Sequence, residues 1–247
     1  MRTLVIGIPL PHPTFDNYSF LSAPCLFDYP RMVVEMAGAS RAVEEVVEGS
    51  AEHRTLDGEP VVNGPSGPGT LGLADLLRRR RLEAERFLAR GGVAVCFAYP
   101  DVALSGVEGR PNWRRYDWLP EPEGLRYRDD LVGGYGKLGV ELEDAAHPFA
   151  SYVETFGSRL AYRAYLADGA LAPVDGARVF ARSPGGAAVG VELPVGGGRV
   201  VLLPPFDRVD PAKDRTALAT TLFECLERLA AGEGSPPPPE WIRKEAS

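Results

Sequence analysis

Gly92-Val93-Ala94-Val95-Cys96-Phe97-Ala98-Tyr99 is the stretch that decides the fold. A short, unbroken apolar run between Gly91-Gly92 and Pro100-Asp101 reads as a strand buried on both faces. Such strands lie at the centre of parallel sheets clad by helices, so the core is placed here. Just upstream, Leu71 to Arg90 predicts a long helix with Leu73, Leu76, Leu77, Ala84, Phe87 and Leu88 on its buried stripe. Gly91-Gly92 ends it. Earlier still, Thr3 to Leu10 and Arg31 to Met36 read as strands. A helix then opens at Ala39-Ser40, with Ser40 as N-cap and Glu44 near the capping-box position, and runs to about Glu48.

Downstream the pattern changes. Leu160 to Ala167, Ala177 to Ser183, Ala187 to Leu193 and Arg199 to Leu203 are strand-like and separated by short Gly-rich turns, which favours antiparallel hairpins. A final amphipathic helix begins near Asp210-Pro211 and turns Leu218, Leu222, Cys225, Leu226 and Leu229 inward. A short helix is predicted within Ala145 to Phe156. Residues 14–29, 49–69 and 100–144 read as loops with aromatic anchors, among them Trp113, Tyr116 and Trp118. The expected class is α/β: three layers, a mostly parallel sheet with helices on both faces, and an antiparallel C-terminal hairpin extension. Residues 1–232 form one domain and 233–247 a flexible proline-rich tail.

The formal net charge of -7 argues against a nucleic-acid binder and against general affinity for anionic membranes. Cys25, Cys96 and Cys225 form no Cys-x-x-Cys pair, which fits a reducing, cytoplasmic setting. The apolar start, Leu4-Val5-Ile6-Gly7-Ile8, is too short for the core of a signal peptide.

The order of these elements, with "Arg31-Met32-Val33-Val34-Glu35", "Leu76-Leu77-Arg78-Arg79-Arg80-Arg81-Leu82-Glu83", "Arg90-Gly91-Gly92-Val93-Ala94-Val95" and the closing "Ala188-Val189-Gly190-Val191-Glu192" and "Gly196-Gly197-Gly198-Arg199-Val200-Val201-Leu202-Leu203-Pro204-Pro205", resembles the class I glutamine amidotransferase-like (flavodoxin-like) superfamily, including its trehalose-utilisation-type proteins. The catalytic members carry Gly-x-Cys-x-Gly at a strand-to-helix elbow and a later His-x-Glu. This chain has Val95-Cys96-Phe97 and His147-Pro148-Phe149 instead. The resemblance therefore implies the fold without the glutaminase chemistry.

Among the chemical candidates, Cys96 is a nucleophile only with a base, cation or helix N-terminus beside its thiolate, and otherwise core packing. His147 is the best single general-base candidate, with a backbone-bonding loop histidine as the alternative. Asp101 joins these two as a catalytic candidate. Ligands bind beyond the carboxyl ends of strands in open α/β sheets, so His12, Asp16 and Asn17 are expected to share a crevice with Tyr99 and Asp101. His12, His53 and His147 do not show metal-ligand spacing, and no phosphate-loop or dinucleotide motif is present, so no metal or cofactor is expected. Arg78 to Arg81 predict ion pairs with Glu83 and Glu85. Gly64-Pro65-Ser66-Gly67-Pro68-Gly69 predicts turns. The expected function is a catalytically degenerate binding or interaction module for a small polar ligand or a partner. The alternative is a hydrolase at the strand-end crevice. Self-association through the hairpin edges is also expected.

Overall fold

The computed structural model describes residues 1–39, 41, 51–54, 60–62, 68–107, 110–206, 210 and 213–232. Ser40, Glu44, the turn at 63–67 and the tail 233–247 lie outside them. Helical backbone begins at Ala37, ahead of the expected Ser40 cap.

Strands β1 (Thr3–Ile6), β2 (Phe15–Tyr18) and β3 (Arg31–Glu35) come first, with a 3-10 turn at Leu26–Asp28 before β3. Two short strands, β4 (Ala51–Arg54) and β5 (Pro60–Val62), precede the long helix α1 (Pro68–Ala89). Then come β6 (Val93–Phe97), β7 (Ala103–Val107), β8 (Arg110–Arg114), the one-turn α2 (Tyr127–Asp130), β9 (Leu131–Leu138) and β10 (Glu141–Leu142). Helix α3 (Ala150–Phe156) leads to β11 (Ala161–Leu166) and the short α4 (Asp168–Leu171). Strands β12 (Arg178–Arg182), β13 (Ala188–Val195) and β14 (Gly198–Leu203) precede α5 (Asp214–Ala230).

The main sheet has ten strands, in the order β10-β12-β13-β14-β6-β3-β1-β2, with β11 branching from β13 and β9 pairing with β11. Strands β14, β6, β3, β1 and β2 are mutually parallel. From β14 outward through β13, β12 and β10 every pairing is antiparallel, as is the β9–β11 ladder. The expected α/β class with its antiparallel hairpin extension is the one observed. Strand β6 lies in the middle, with Ala94, Val95, Cys96 and Phe97 buried. Alternate residues of a strand point to opposite faces. Phe97 meets Tyr152 of α3 at a ring distance of 6.4 Å. The thiol of Cys96 instead faces the phenols of Tyr116 and Tyr127. Helices α3 and α5 cover the first face and α1 the second, giving three layers. The stripe Leu218, Leu222, Cys225, Leu226 and Leu229 of α5 is buried as its spacing predicts.

Three regions expected to be loops contain strands. Residues 14–29 supply β2, a polar edge strand that pairing with β1 holds extended. Strands β4 and β5, from the 49–69 excursion, join β7 and β8 in a separate four-stranded sheet. Strand β9 carries Gly133, Gly134 and Gly136, so its local propensity is low, and long-range pairing with β11 forms it.

The connection from β1 to β2 contains no helix. Residues 7–14 include Pro9, Pro11 and Pro13 and run over the α5 face, where the His12 ring stacks on Phe223 at 4.4 Å. The chain returns from β2 to β3 over the α1 face, where Arg80 holds the carbonyls of Ala23 and Pro24.

Candidate functional site

Progression through the parallel strands reverses between β1 and β3. The chain after β1 leads outward to β2 over the α5 face, while the chain after β3 leads the other way, toward β6, through helical backbone that begins at Ala37 with Ala37 and Ala39 buried. Adjacent loops that diverge in this way open a crevice beyond the carboxyl ends of their strands, where open α/β sheets hold ligands. A crevice of about 380 Å³ lies there.

Its base is glycine against glycine. Gly7 ends β1 with φ +87°, and a Cβ on Gly38 would lie 3.0 Å from the Gly7 Cα, so only bare backbone permits this approach. Arg41 ties the two loops, donating from Nη2 to the Gly7 carbonyl at 3.1 Å and to the Glu35 carboxylate. Glu35 ends β3 and lines a narrower cleft that shares Ile8 with the crevice.

The outer wall is the turn 19–23. Ser19 Oγ and Ser22 Oγ lie 2.9 Å apart, each hydroxyl accepts the other residue's backbone N–H, and Ala23 N–H closes the turn on Ser19 O at 3.0 Å. Behind it, Phe20 packs edge-on against the fully buried Trp118, with centroids 5.5 Å apart. Tyr18 is 41% exposed at the rim. Ser19, Ser22, Tyr18 and Arg41 thus bring hydroxyls and a guanidinium to a crevice also lined by Ile8, Pro9 and Phe20.

Of the expected ligand-binding residues, Asn17 lines this crevice. Its amide is committed to the Leu10 backbone, accepting N–H at 2.7 Å and donating to O at 3.0 Å, so it shapes the β1–β2 loop. Tyr99 lines the narrower cleft, largely buried. The guanidinium carbons of Arg115 and Arg163 lie 5.6 and 5.9 Å from its ring centre. The β9–β11 ladder lies beyond the ends of β6 and β14: Ala161 N–H bonds to Pro205 O, and a Cβ on Gly133 would touch Pro100. This ladder covers the half of the strand ends where Tyr99 and Asp101 were expected to open a pocket.

The remaining candidates lie elsewhere. Asp101 is buried, accepts from Arg114 Nε at 2.5 Å and receives the Tyr116 N–H. Asp16 sits at the opposite end of the sheet, bound to Arg2 and to the Tyr29 hydroxyl, and the Arg2 hydrogen bond lowers its pKa against the effect of burial. His12 hydrogen-bonds Thr14 Oγ1 at 2.8 Å, away from the crevice.

His147 is fully buried. Its Nδ1 accepts the Phe149 N–H at 3.1 Å, which leaves the ring proton on Nε2 to donate to Glu192 Oε2 at 2.9 Å. The ring stacks on Phe180 at 4.2 Å, and both nitrogens are committed to hydrogen bonds inside the core. Burial raises the Glu192 carboxyl, but the His147 hydrogen bond and the Arg199 charge outweigh it and the net shift is downward. Cys96 is fully buried, and desolvation pushes its thiol up to about 12. Cys225 is buried and Cys25 partly so. Among the described residues, no group of histidine, cysteine and carboxylate side chains is arranged to hold a metal ion, and no helix is long and apolar enough to cross a membrane.

Sequence reading missed Gly7, Tyr18, Ser19, Ser22, Glu35, Gly38 and Arg41. The available signal was a glycine breaking the apolar run at Ile6-Gly7-Ile8, and a carboxylate followed by Met36-Ala37-Gly38 at the end of the second strand.

No family model matches the chain, and no curated protein matches it. Among solved structures it is similar to Cytoplasmic Protein STM1381 from Salmonella typhimurium LT2, at 14% identity and a TM-score of 0.46, over 92% of this chain and 98% of that one. It is also similar to Cytoplasmic Protein STM3548 from Salmonella typhimurium, at 13% identity and a TM-score of 0.45, over 90% of this chain and 98% of that one. Neither name describes a chemistry.

Proposed function

We propose that the chain binds a small polar ligand in the crevice between the ends of β1 and β3, as a catalytically silent, cytoplasmic relative of the amidotransferase-like group. The observation that carries this reading is the crevice at the strand-order reversal, with Gly7 and Gly38 at its base and Ser19, Ser22, Tyr18 and Arg41 around it. Catalytic silence is supported by Cys96, buried in mid-strand with its thiol pKa raised, and by His147, committed to Glu192 and Phe149. A hydrolase at the same place has less support. Among the described residues, Ser19 and Ser22 bond to each other and to local backbone, and Glu35 is held by Arg41.

The test is native mass spectrometry after incubation with a deproteinised cell extract, comparing the chain with Ser22→Tyr. Ser22 is exposed, so the larger side chain fills the crevice without entering the core. A small-molecule adduct on the unsubstituted protein that disappears in Ser22→Tyr is expected. An adduct retained by the variant, or none on either protein, sinks the reading.

A further inference from the structure

The four arginines Arg78 to Arg81 are adjacent in sequence and differ in what they hold. Arg78 pairs with Asp75 on the exposed side of α1. Arg80 is 4% exposed and reaches across to the segment between β2 and β3. Its Nη1 donates to Pro24 O at 2.8 Å and to Glu83 Oε2 at 2.6 Å, and its Nη2 donates to Ala23 O. Glu83 Oε2 also accepts the Leu26 N–H at 3.4 Å. Arg81 Nη1 donates to Asp117 O at 3.0 Å, one residue before the Trp118 that backs Phe20.

These bonds converge on the outer wall of the crevice. Ala23, whose carbonyl Arg80 holds, is the residue whose N–H closes the Ser19–Ala23 turn. A guanidinium buried in a helix is costly unless its donors are satisfied. Here they are largely satisfied by carbonyls of a loop with little regular structure of its own. We infer that Arg80 is a positioning residue for the crevice, locking the Ser19–Ala23 wall against α1, with Arg81 supporting the wall's Trp118 backing. The inference rests on the binding reading above for its purpose, but not for its test.

Hydrogen exchange read by mass spectrometry on Arg80→Met, Arg80→Lys and the unsubstituted chain supplies that test. Loss of charge-assisted bonds to two carbonyls is expected to speed exchange at residues 19–26 by at least about tenfold in Arg80→Met. Peptides from β14 and α5 should stay within about twofold, since they lie outside the released segment. Lysine keeps the charge but lacks the fork, so Arg80→Lys should restore part of the protection. Should Arg80→Met fail to fold, the lysine variant alone carries the comparison, with a smaller rise expected over the same residues. A uniform rise across the chain, or no rise at 19–26, overturns the assignment. The Ser22→Tyr adduct experiment is separate, so absence of any adduct sinks the binding reading while the wall measurement still decides what Arg80 does.

Discussion

Burial decides what each reactive side chain can do. Cys96 has its thiol in the dry interior, and a thiol held above its usual range supplies almost no thiolate near neutrality. Cys225 is similarly raised by burial and hydrogen-bonded to Ser151 Oγ at 3.4 Å. Titration of the native protein with a bulky disulfide reagent should therefore modify at most Cys25, and all three thiols should react once guanidinium is added. Fast native labelling of Cys96 is the result that fails this. The burial of Cys96 is legible in the sequence because no polar residue interrupts Val93 to Phe97. The placement of Asp16 is not, because its partner Arg2 lies outside any local pattern and only the β1–β2 pairing brings the two together. Glu35 and Arg41 escape detection for a related reason. Six residues apart, they become a pair only because the helical backbone that begins at Ala37 carries Arg41 back over the end of β3.

Among the elements, the junction of α1, β6 and β14 leaves no room for a side chain at Gly198. A Cβ on Gly198 would lie 2.4 Å from Gly92 O and 2.7 Å from Leu88 O. Gly198→Ala must push the strand off the helix end, at a cost of about 1–3 kcal/mol, the usual penalty for overpacking. Guanidinium denaturation should show this as a lower midpoint with an unchanged slope, and an unchanged midpoint would contradict the packing described. Elements with strong local signals, namely α1, α5, β1, β3, β6 and the β12–β13–β14 hairpins, are readable from periodicity. Strands β2 and β9 are not, since the polar Asp16-Asn17 and the glycines of β9 speak for turns. The β9–β11 ladder also takes three residues, 134–136, against Arg163 alone, a bulge that bends and blunts the outer strand. Self-association through the hairpin half, expected from sequence, has to contend with that bend.

At the scale of the whole molecule, the charges predict a plateau of stability. The carboxyls of Asp16, Asp214 and Glu227 are lowered chiefly by hydrogen bonds from Arg2, Arg159 and Arg31. In Asp144 and Glu192 burial acts upward and is outweighed by Arg178 and by His147 respectively. A lowered carboxyl stabilises the fold above its unfolded value and ceases to do so as pH falls through the folded value. Cys96 and Tyr116 are raised by burial, so their contribution holds below their unfolded values and fades as pH climbs above them. Denaturation midpoints should stay flat between about pH 5 and 8, then fall on both sides. A steep change within that window would contradict the assignment of these carboxyl, thiol and phenol groups.

Strand β14 pairs with β6 on one edge and β13 on the other, so among the described strands of the main sheet it joins the parallel and antiparallel halves. Roughly a hundred residues separate Val93 from its partner Arg199. A ribosome therefore releases an apolar β6 long before the strand that will shield it exists. During that interval the nascent chain presents an open, hydrophobic ladder, the kind of template that invites mispairing with neighbours. Chaperone demand during synthesis should accordingly concentrate between emergence of the sixth strand and arrival of the fourteenth.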